Sequence, residues 1–496
     1  MLRRLLLACL CLSAVCSALA FGGGETAVPA QREIRAVWLT TFSGLDWPRR
    51  PAATPAAAEE QKQTLCRLLD RMREAGINTV LFQARLRGTT AYASDIEPWD
   101  GVFTGVPGRA PLYDPLAFAV AECHRRGMEC HAWIVSFPIG KTEAVKALGN
   151  RALPRRRPAL CQRCGDQWMM DPGVPGTDDY LADICAEVAR KYDVDGIHLD
   201  YIRYPEKSIA FNDNATFKKY GKGLSAAQKA QWRRDNVTRC VRKITAKVKA
   251  VRPWIKMSCA PIGKHADLRR YSAMGWSAMA MGQEAQRWLG EGLMDWLFPM
   301  MYFDGNHFYP FAADWQESCN GRTIVPGLGV YFLSPKEKDW DLAVVQRQIH
   351  FLRSERLGGQ AYFRCRHLTD NTKGLLDYLQ GEFYPYPALM PPMTWQDSIP
   401  PASPELVCQQ RQNGIMEHLR WKAVNKAGTY CRYAIYADTL SPVNLSDPSH
   451  LVTVVSDTTY TYNLLSAKLY GLHLAITAID RFGNESKPLQ VKPVLQ

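Results

Sequence analysis

Short apolar runs alternate with amphipathic segments through most of the chain that follows Ala30. Most of the runs are apolar almost without interruption, which is typical of parallel strands covered on both faces. This pattern predicts strands at 35–40, 77–85, 129–135, 196–200, 255–260, 294–302, 323–330 and 360–363.

The segments between these strands have helical periodicity. Helices are predicted at 59–75, 115–126, 177–191, 231–251, 283–291 and 342–355. Eight strands with interleaved helices is the element count of a (β/α)8 TIM-type barrel, which we place at 32–385. An open doubly wound sheet is the alternative, but no glycine-rich phosphate-binding fingerprint follows the first strand.

The pattern changes after a proline-rich linker at 386–402. Short alternating strands at 417–422, 431–437, 451–455, 459–462 and 473–479 predict a small all-β sandwich over 403–496. Its end, at 478–486, resembles the closing strand and turn of a fibronectin type III domain. The predicted fold class is therefore α/β, a TIM-type barrel followed by a β-sandwich with a scaffolding or docking role.

The first 20 residues resemble a secretory signal peptide. Arg3 and Arg4 precede an apolar run at 5–15, and the small residues at 18–20 form a cleavage site. We expect cleavage after Ala20 and export to the periplasm or cell surface. A lipoprotein is the alternative, because 13–16 loosely resembles a lipid-attachment site. No later segment offers 18 uncharged apolar residues, so no integral membrane span is predicted.

Composition and charge exclude some classes of protein. Hydrophobic residues make up 47% and charged residues 22%, which excludes a wholly disordered chain. The formal net charge is +13, but the lysines and arginines are spread along the chain, which argues against a nucleic-acid partner. Oligomeric state is left open.

Cysteines do not indicate a metal site. Cys161 and Cys164 form a single CxxC without a second pair at zinc spacing, so neither a metal nor another cofactor is predicted. A disulfide between these two residues, or between Cys408 and Cys431, stays open for an exported protein.

The chemistry of a TIM-type barrel lies at the carboxyl ends of its strands. Those positions carry tryptophans, tyrosines, carboxylates and arginines, which suit a carbohydrate: sugar faces stack on aromatic rings, and hydroxyls pair with carboxylates and guanidinium groups. The residues predicted to bind substrate are Trp38, Gln83, Arg85, Trp133, Asp171, Arg203, Tyr204 and Tyr302. For each of them a structural role in barrel filling, capping or ion pairing is the alternative.

Asp200 is the strongest catalytic candidate. A carboxylate that ends an apolar inner strand needs a polar role, and glycoside hydrolysis needs two carboxyls beside the scissile bond. We predict Asp200 as one of them and Asp304 as the weaker candidate for the second, with Asp171 and Glu97 behind it.

At these residues the chain resembles the glycosyl hydrolase-like 10 family of exported bacterial proteins. The resemblance implies a TIM-type barrel and a polysaccharide substrate, specifically peptidoglycan glycan strands stripped of stem peptides. The matching segments follow the family order: RAVWLTT (35–41), DWP (46–48), NTVLFQAR (78–85), EPW (97–99), YDPL (113–116), RGMECHAW (126–133), DPG (171–173), DGIHLDYIRYP (195–205), WRRDNV (232–237) and PGLG (326–329).

Two segments depart from the family pattern. The usual Asn-Pro-Tyr-Arg after the third strand is VSFP at 135–138, and the usual Pro-Gln-Ile-Tyr-Trp after the sixth is PMMYF at 299–303. The segment around Asp200 also resembles the chitinase motif, but Ile202 stands where that motif has its proton-donating glutamate. A side chain without a proton cannot be the acid, so chitinase-type chemistry on this motif is not expected.

The sequence therefore predicts an exported glycoside hydrolase that cleaves a bacterial polysaccharide by carboxylate acid/base chemistry. Two alternatives remain: a non-catalytic glycan-binding or surface-assembly protein on a degenerate barrel, and a lyase or transglycosylase acting on the same substrate.

Overall fold

A ring of eight parallel strands forms the larger part of the protein. The computed structural model describes residues 29–206, 208–413, 415–426, 429–463 and 471–491. The strands of the ring are β1 (Ile34–Leu39), β2 (Thr79–Arg85), β3 (Glu129–Val135), β4 (Gly196–Asp200), β5 (Lys256–Cys259), β6 (Trp296–Leu297), β7 (the two segments Thr323–Ile324 and Gly327–Leu328) and β8 (Gly359–Tyr362).

The ring is closed by β1 and by β7. Strand β1 pairs in parallel with β2 on one side and with β8 on the other. The first segment of β7 pairs with β6, and its second segment pairs with β8. Each strand thus has its sequence neighbours beside it, with a return from β8 to β1. This arrangement confirms the predicted TIM-type barrel.

Helices follow the strands and cover the outside of the ring. The helix that begins at Pro115 shows how such a helix starts. Asp114 caps it by accepting a hydrogen bond from the Ala117 N–H (2.9 Å), and Pro115 takes the first helical position. The helices are α1 (Pro55–Glu74), α2 (Pro115–Arg125), α3 (Thr142–Leu148), α4 (Leu153–Arg156), α5 (Thr177–Lys191), α6 (Asn214–Tyr220), α7 (Lys229–Val251), α8 (Ala285–Gly290), α9 (Tyr309–Glu317), α10 (Leu342–Ser354), α11 (Cys365–Thr369) and α12 (Leu375–Tyr378), continued by a π-turn at Leu379–Phe383.

Aromatic and aliphatic side chains fill the barrel interior. Trp38, Trp133, Trp296 and Phe298 belong to one buried cluster contributed by strands around the ring. The linker closes this cluster from below: Met390 is a buried member, and Trp395 packs against it. The Trp395 indole N–H donates to Asp295 (2.9 Å). The interior is therefore a packed core, and the opposite end, where the strands finish, is the mouth.

A basal ion network lies at the amino ends of the strands, where the C-terminal domain contacts the barrel. The Glu129 carboxylate accepts from Lys256 (3.0 Å) and from Arg432 (2.7 Å). Asp195 pairs with Arg481 at 2.9 Å. Both carboxylates are buried, and both arginines come from the C-terminal domain. The two parts of the chain are thus joined by buried ion pairs that cross the boundary between them.

The basal cations keep Glu129 ionised. Burial raises the pKa of Glu129, but Lys256 and Arg432 outweigh it and lower the pKa from 4.5 to about 2. For Asp195 burial also acts to raise the pKa, while His124 and Arg481 hold it well below its usual range. Because these carboxylates are more acidic in the folded state, they stabilise it at neutral pH.

The C-terminal domain consists of antiparallel sheets. One sheet has the strands Leu406–Gln412, Met416–Trp421 and Thr459–Asn463, and the other has Leu451–Val455, Arg432–Asp438, His473–Ile479 and Leu489–Val491. A two-stranded ribbon joins Asn425–Lys426 to Thr429–Tyr430. Side chains of both larger sheets, including Trp421 and Ile435, share one buried cluster. This is the predicted all-β sandwich, and its assignment to the fibronectin type III type stays a prediction.

A three-stranded sheet between β3 and α5 was not predicted. Its strands are Pro138–Lys141, Cys161–Cys164 and Gln167–Met170, so the CxxC lies within one strand. They are short and lack a clear period, which is why the pattern did not reveal them. The cysteines of the described residues are free thiols, those at 161, 164, 408 and 431 included.

The predicted signal peptide lies outside the described residues, so export stays a prediction. In the part of the chain that the structure describes, no helix is long and apolar enough to cross a membrane.

We predict that Glu129→Gln lowers the free energy of unfolding at pH 7 by about 3 kcal/mol, because Lys256 and Arg432 lose their buried counter-charge. The native carboxylate contributes stability above its unfolded pKa of 4.5 and loses it as the pH falls toward about 2. The variant should therefore differ most from the native protein at neutral pH and least near pH 2. Denaturant unfolding at several pH values, with the exposed Glu60→Gln as control, would measure this; equal stabilities at pH 7 would contradict it.

Candidate active site

Asp200 ends β4 at the centre of the mouth and is only 5% exposed. Its Oδ2 accepts the indole N–H of Trp133 (3.1 Å), and its Oδ1 accepts the backbone N–H of Tyr201 (2.7 Å). The nearest cation is Arg203, whose Nη1 lies 3.8 Å from Oδ1, too far for a hydrogen bond. The carboxyl is thus held in place without a close ion pair.

A hydrogen-bonded layer below Asp200 supports this position. The Trp38 indole N–H donates to Nε2 of His198 (3.1 Å), so Nδ1 carries the remaining proton toward Ser258 Oγ (3.0 Å). Burial, and then the nearby His131, hold the pKa of His198 well below its usual range. His198 is therefore a neutral core residue, and both of its ring nitrogens have hydrogen-bond partners. Trp38 fills the barrel interior and donates one of these hydrogen bonds.

Burial raises the pKa of Asp200 above its ordinary value, although Arg203, the Tyr201 N–H, Trp133 and Arg87 act to lower it. Asp200 consequently keeps its proton to a higher pH than an exposed aspartate does. Such a carboxyl is suited to donate a proton.

Two guanidinium groups stand beside Asp200. Arg203 is 7% exposed, and its guanidinium lies 4.2 Å from the centre of the Tyr201 ring. Within the described residues its Nη1 has no hydrogen-bond partner. Arg87 is half-buried and stacks on Phe42 at 4.5 Å. Nη1 of Arg203 is thus an unsatisfied donor next to Asp200, and a buried donor without a partner is costly.

Aromatic rings form one wall of the mouth. Tyr302 stacks on Phe363 with ring centres 5.4 Å apart and meets Tyr331 edge-on at 5.8 Å. All three are half-buried. Burial, and then the charge of Asp200, raise the pKa of Tyr302 well above its usual value, so its hydroxyl stays protonated. The wall offers ring faces and hydroxyl donors to a sugar.

Arg85 and Glu97 form a buried bidentate pair. Nε and Nη2 of Arg85 each donate to Glu97 at 2.7 Å, and Nη1 donates to the backbone carbonyls of Val135 and Ser136. The Tyr180 hydroxyl donates to Glu97 as well (2.9 Å). These contacts tie the loop after β2 to the end of β3, so the structure places both residues in the wall behind the mouth.

Gln83 and Asp46 hold the loop after β1. The Gln83 Oε1 accepts the backbone N–H groups of Thr41 (3.0 Å) and Phe42 (2.8 Å). The Asp46 carboxylate accepts from Arg364 at 2.9 Å and links this loop to the end of β8. Gln83 thereby positions the ring on which Arg87 stacks.

Asp171 and Tyr204 lie farther from Asp200, toward α6 and α7. The Asp171 carboxylate accepts the Gly173 N–H (2.9 Å) and the Thr216 hydroxyl (2.6 Å), which closes a tight turn. Tyr204 is buried, and its ring packs edge-on against Phe211 at 5.7 Å. A Cβ at Gly173 would lie 2.4 Å from the ring of Trp232, so this turn requires glycine.

Asp304 lies in an exposed turn after β6, where its Oδ1 accepts the Gly305 N–H (2.7 Å). No contact within the described residues links it to Asp200. The structure thus brings together Asp200, Trp133, Arg203 and Tyr302 but leaves Asp304 apart from them. Its role as the second carboxyl stays a prediction.

Three residues near the candidate site were absent from the prediction: Arg87, Tyr331 and, in the loop after β4, Glu206. Glu206 follows Asp200 in the same loop, is half-buried, and its charge contributes to raising the pKa of Tyr201. The loop is polar and has no period, so only its place after β4 could have indicated the residue. As for metals, the described ranges contain no group of three or more His, Cys, Asp or Glu side chains that could hold an ion.

We predict that Gln83→Met lowers the free energy of unfolding by about 1–3 kcal/mol, because two buried N–H groups lose their acceptor. The loop that carries Phe42 should loosen at the same time. Denaturant unfolding and amide hydrogen exchange at Thr41 and Phe42 would measure both effects. Unchanged stability and protection would mean that the amide has another task.

Comparisons with known proteins find a matching family model and named relatives. The model of the family described as glycosyl hydrolase-like 10 matches residues 33–326. Glycosyl hydrolase YngK of Bacillus subtilis (strain 168) is 30% identical over 434 residues, which is 82% of this chain and 83% of that protein. Glycosyl hydrolase DigH of Escherichia coli (strain K12) is 32% identical over 298 residues, 56% of this chain and 67% of that protein.

Among solved structures, the glycoside hydrolase domain of PgaB (BpsB) from Bordetella bronchiseptica aligns with 72% of this chain and 99% of its own, at 15% identity and a TM-score of 0.49. The family match and the two named relatives confirm the predicted enzyme class, a glycoside hydrolase. The chain belongs to the glycosyl hydrolase-like 10 family.

Proposed function

We propose that this glycoside hydrolase cleaves peptidoglycan glycan strands that lack stem peptides, with Asp200 as the catalytic acid. The observation that carries the proposal is the state of Asp200: a carboxyl at the end of β4, 5% exposed, with a raised pKa and no close ion pair. Such a group can protonate the glycosidic oxygen as the bond to the anomeric carbon breaks.

The contacts of Asp200 support this role. The Trp133 indole and the Tyr201 N–H each hold one of its oxygens, which fixes the plane of the carboxyl. A fixed carboxyl loses little entropy when the substrate binds. The tyrosine and phenylalanine wall would hold the sugar ring against it.

The two guanidinium groups beside Asp200 support an anionic substrate. Arg203 has a donor without a partner, and Arg87 adds a second positive charge. A muramic acid unit carries a lactyl carboxyl that is amide-linked where a stem peptide is attached and is a free carboxylate where the peptide has been removed. A guanidinium group binds the free carboxylate more strongly than the neutral amide. Strands without stem peptides therefore fit this site better than intact ones.

The proposal includes export, because peptidoglycan lies outside the cytoplasmic membrane. The signal-like pattern of residues 1–20 supports it.

We predict that Asp200→Asn lowers the turnover of peptide-free strands by about 10²- to 10⁴-fold, the usual contribution of a general acid. Mass spectrometry of the products would show fragments that have gained one water with the native protein and few or none with the variant. The exposed Asp457→Asn serves as the control, and unchanged melting would establish that Asp200→Asn folds. Full activity of the variant would exclude Asp200 as the acid, and glycan binding without cleavage by the native protein would favour the non-catalytic alternative.

We further predict that Arg203 binds the free lactyl carboxylate. Reduction of that carboxylate to an alcohol should lower kcat/KM of the native protein by about 10- to 100-fold, the value of one charge-assisted hydrogen bond. Arg203→Met should lower kcat/KM on native strands to a similar extent and abolish the difference between native and reduced strands. An undiminished preference of the variant for native strands would show that another residue recognises the carboxylate.

A further inference from the structure

We propose that Met300 and Trp276 form an apolar subsite beside Asp200 that binds the methyl end of a 2-acetamido group on the glycan. The inference rests on the proposed function, because it places the subsite next to the carboxyl that protonates the glycosidic oxygen. It adds a chemical feature that the enzyme recognises in its substrate, the acetyl group on the nitrogen at C2.

Alternating side chains of β6 and of the segment after it line the barrel interior. Trp296 and Phe298 are buried in the interior cluster, and Met300 packs against the same cluster. Leu297 and Met301 belong instead to the cluster that the ring shares with the surrounding helices. Because successive residues of a strand point to opposite faces, Met300 follows Phe298 on the inner face, one step nearer the mouth.

The side chain below Met300 contacts the side chain below Asp200. The rings of Phe298 and His198 meet edge-on with their centres 5.1 Å apart. Asp200 follows His198 by two residues at the end of β4, and Met300 follows Phe298 by two residues beyond β6. Since two residues of extended chain advance by about 6.6 Å, both side chains reach the next layer of the barrel. Met300 therefore lies beside Asp200 on the floor of the mouth.

The loop after β5 brings Trp276 to Met300. Ile262, at the start of that loop, and Met300 are partners in a parallel bridge. Trp276 and Met300 both pack against one buried cluster, which consists of Ile262, Ala278 and Met281. Both are half-buried, so each keeps part of its apolar surface accessible.

Hydrogen bonds hold the loop that carries Trp276 in place. The Ile262 N–H donates to the side chain of Gln283, which is fully buried (3.1 Å). The Met281 carbonyl accepts the Tyr204 N–H (2.9 Å), which joins this loop to the loop after β4. The subsite is therefore a positioned apolar surface, and its ligand does not have to order it.

The chemistry of the cleaved bond determines which group this surface meets. The glycosidic oxygen that Asp200 protonates is attached to C1 of a sugar, and the substituent of C2 is bonded to the neighbouring carbon. In an N-acetylated glycan that substituent is an acetamido group, whose methyl end gains free energy when it leaves water for an apolar surface. The alternative is an ammonium group at C2, because an indole ring also binds cations. The guanidinium groups of Arg203 and Arg87 beside Asp200 disfavour this second positive ligand.

The test compares strands that differ only in the substituent on the C2 nitrogen. Peptide-free strands are deacetylated enzymatically, and portions are re-acylated with acetyl or with formyl groups. We expect the native protein to cleave formyl strands with a kcat/KM about 4- to 10-fold lower than acetyl strands, the value of one buried methyl group. Strands with free amino groups should be cleaved more slowly still. Equal kcat/KM on acetyl and formyl strands, or a preference for amino strands, would overturn the inference.

Two variants show which side chains produce the preference. Glutamine has nearly the shape of methionine but a polar end, so Met300→Gln should cleave acetyl and formyl strands with equal kcat/KM, whereas Met300→Leu should keep the preference. Trp276→Ala should reduce it as well, on a half-buried residue whose loss the fold tolerates more easily. Met274→Gln is the matched control, because Met274 is 76% exposed in the same loop. An undiminished preference in both Met300→Gln and Trp276→Ala would overturn the inference.

Asp200→Asn separates this inference from the proposed function. A native protein that cleaves the strands, an inactive Asp200→Asn and equal rates on acetyl and formyl strands would refute the subsite alone. A native protein that cleaves none of these strands would refute the proposed function, and the subsite with it.

Discussion

A carboxylate buried inside a barrel destabilises the fold unless cations or N–H donors compensate it, and the two ends of this barrel meet that constraint in opposite ways. At the amino ends of the strands, Glu129 contacts Lys256 and Arg432 and stays ionised. At the mouth, Asp200 receives two N–H groups and a guanidinium group at 3.8 Å, and its pKa rises. The fully compensated Glu129 stabilises the lower end of the barrel. The partly compensated Asp200 is a carboxyl that can exchange a proton.

The packed interior separates these two environments. Trp38, His198 and Ser258 form a neutral hydrogen-bonded layer across the barrel, below Asp200. Met390 and the linker tryptophan Trp395 close the lower end. The packed core closes the lower end of the barrel, so substrate can approach from the mouth only.

Much of this arrangement could be predicted from the sequence, because strands covered on both faces are apolar and stand out. The predicted strand at 196–200 has the observed bounds, and Asp200 was recognisable as a charge at the end of an apolar run. The ion pair between Arg85 and Glu97 could not be assigned from the sequence, because Glu97 lies 12 positions away in an irregular loop.

Arg432 and Arg481 give the C-terminal domain a thermodynamic role in the barrel beyond that of an appended module. A barrel produced without residues 403–496 would retain Glu129 and Asp195 at its base but lose two of the cations that neutralise them. Of their ion-pair partners, Lys256 and His124 would then remain beside these carboxylates, so the truncated barrel would lose stability at neutral pH relative to mild acid. Producing the two domains of this enzyme separately therefore changes how the stability of its barrel depends on pH.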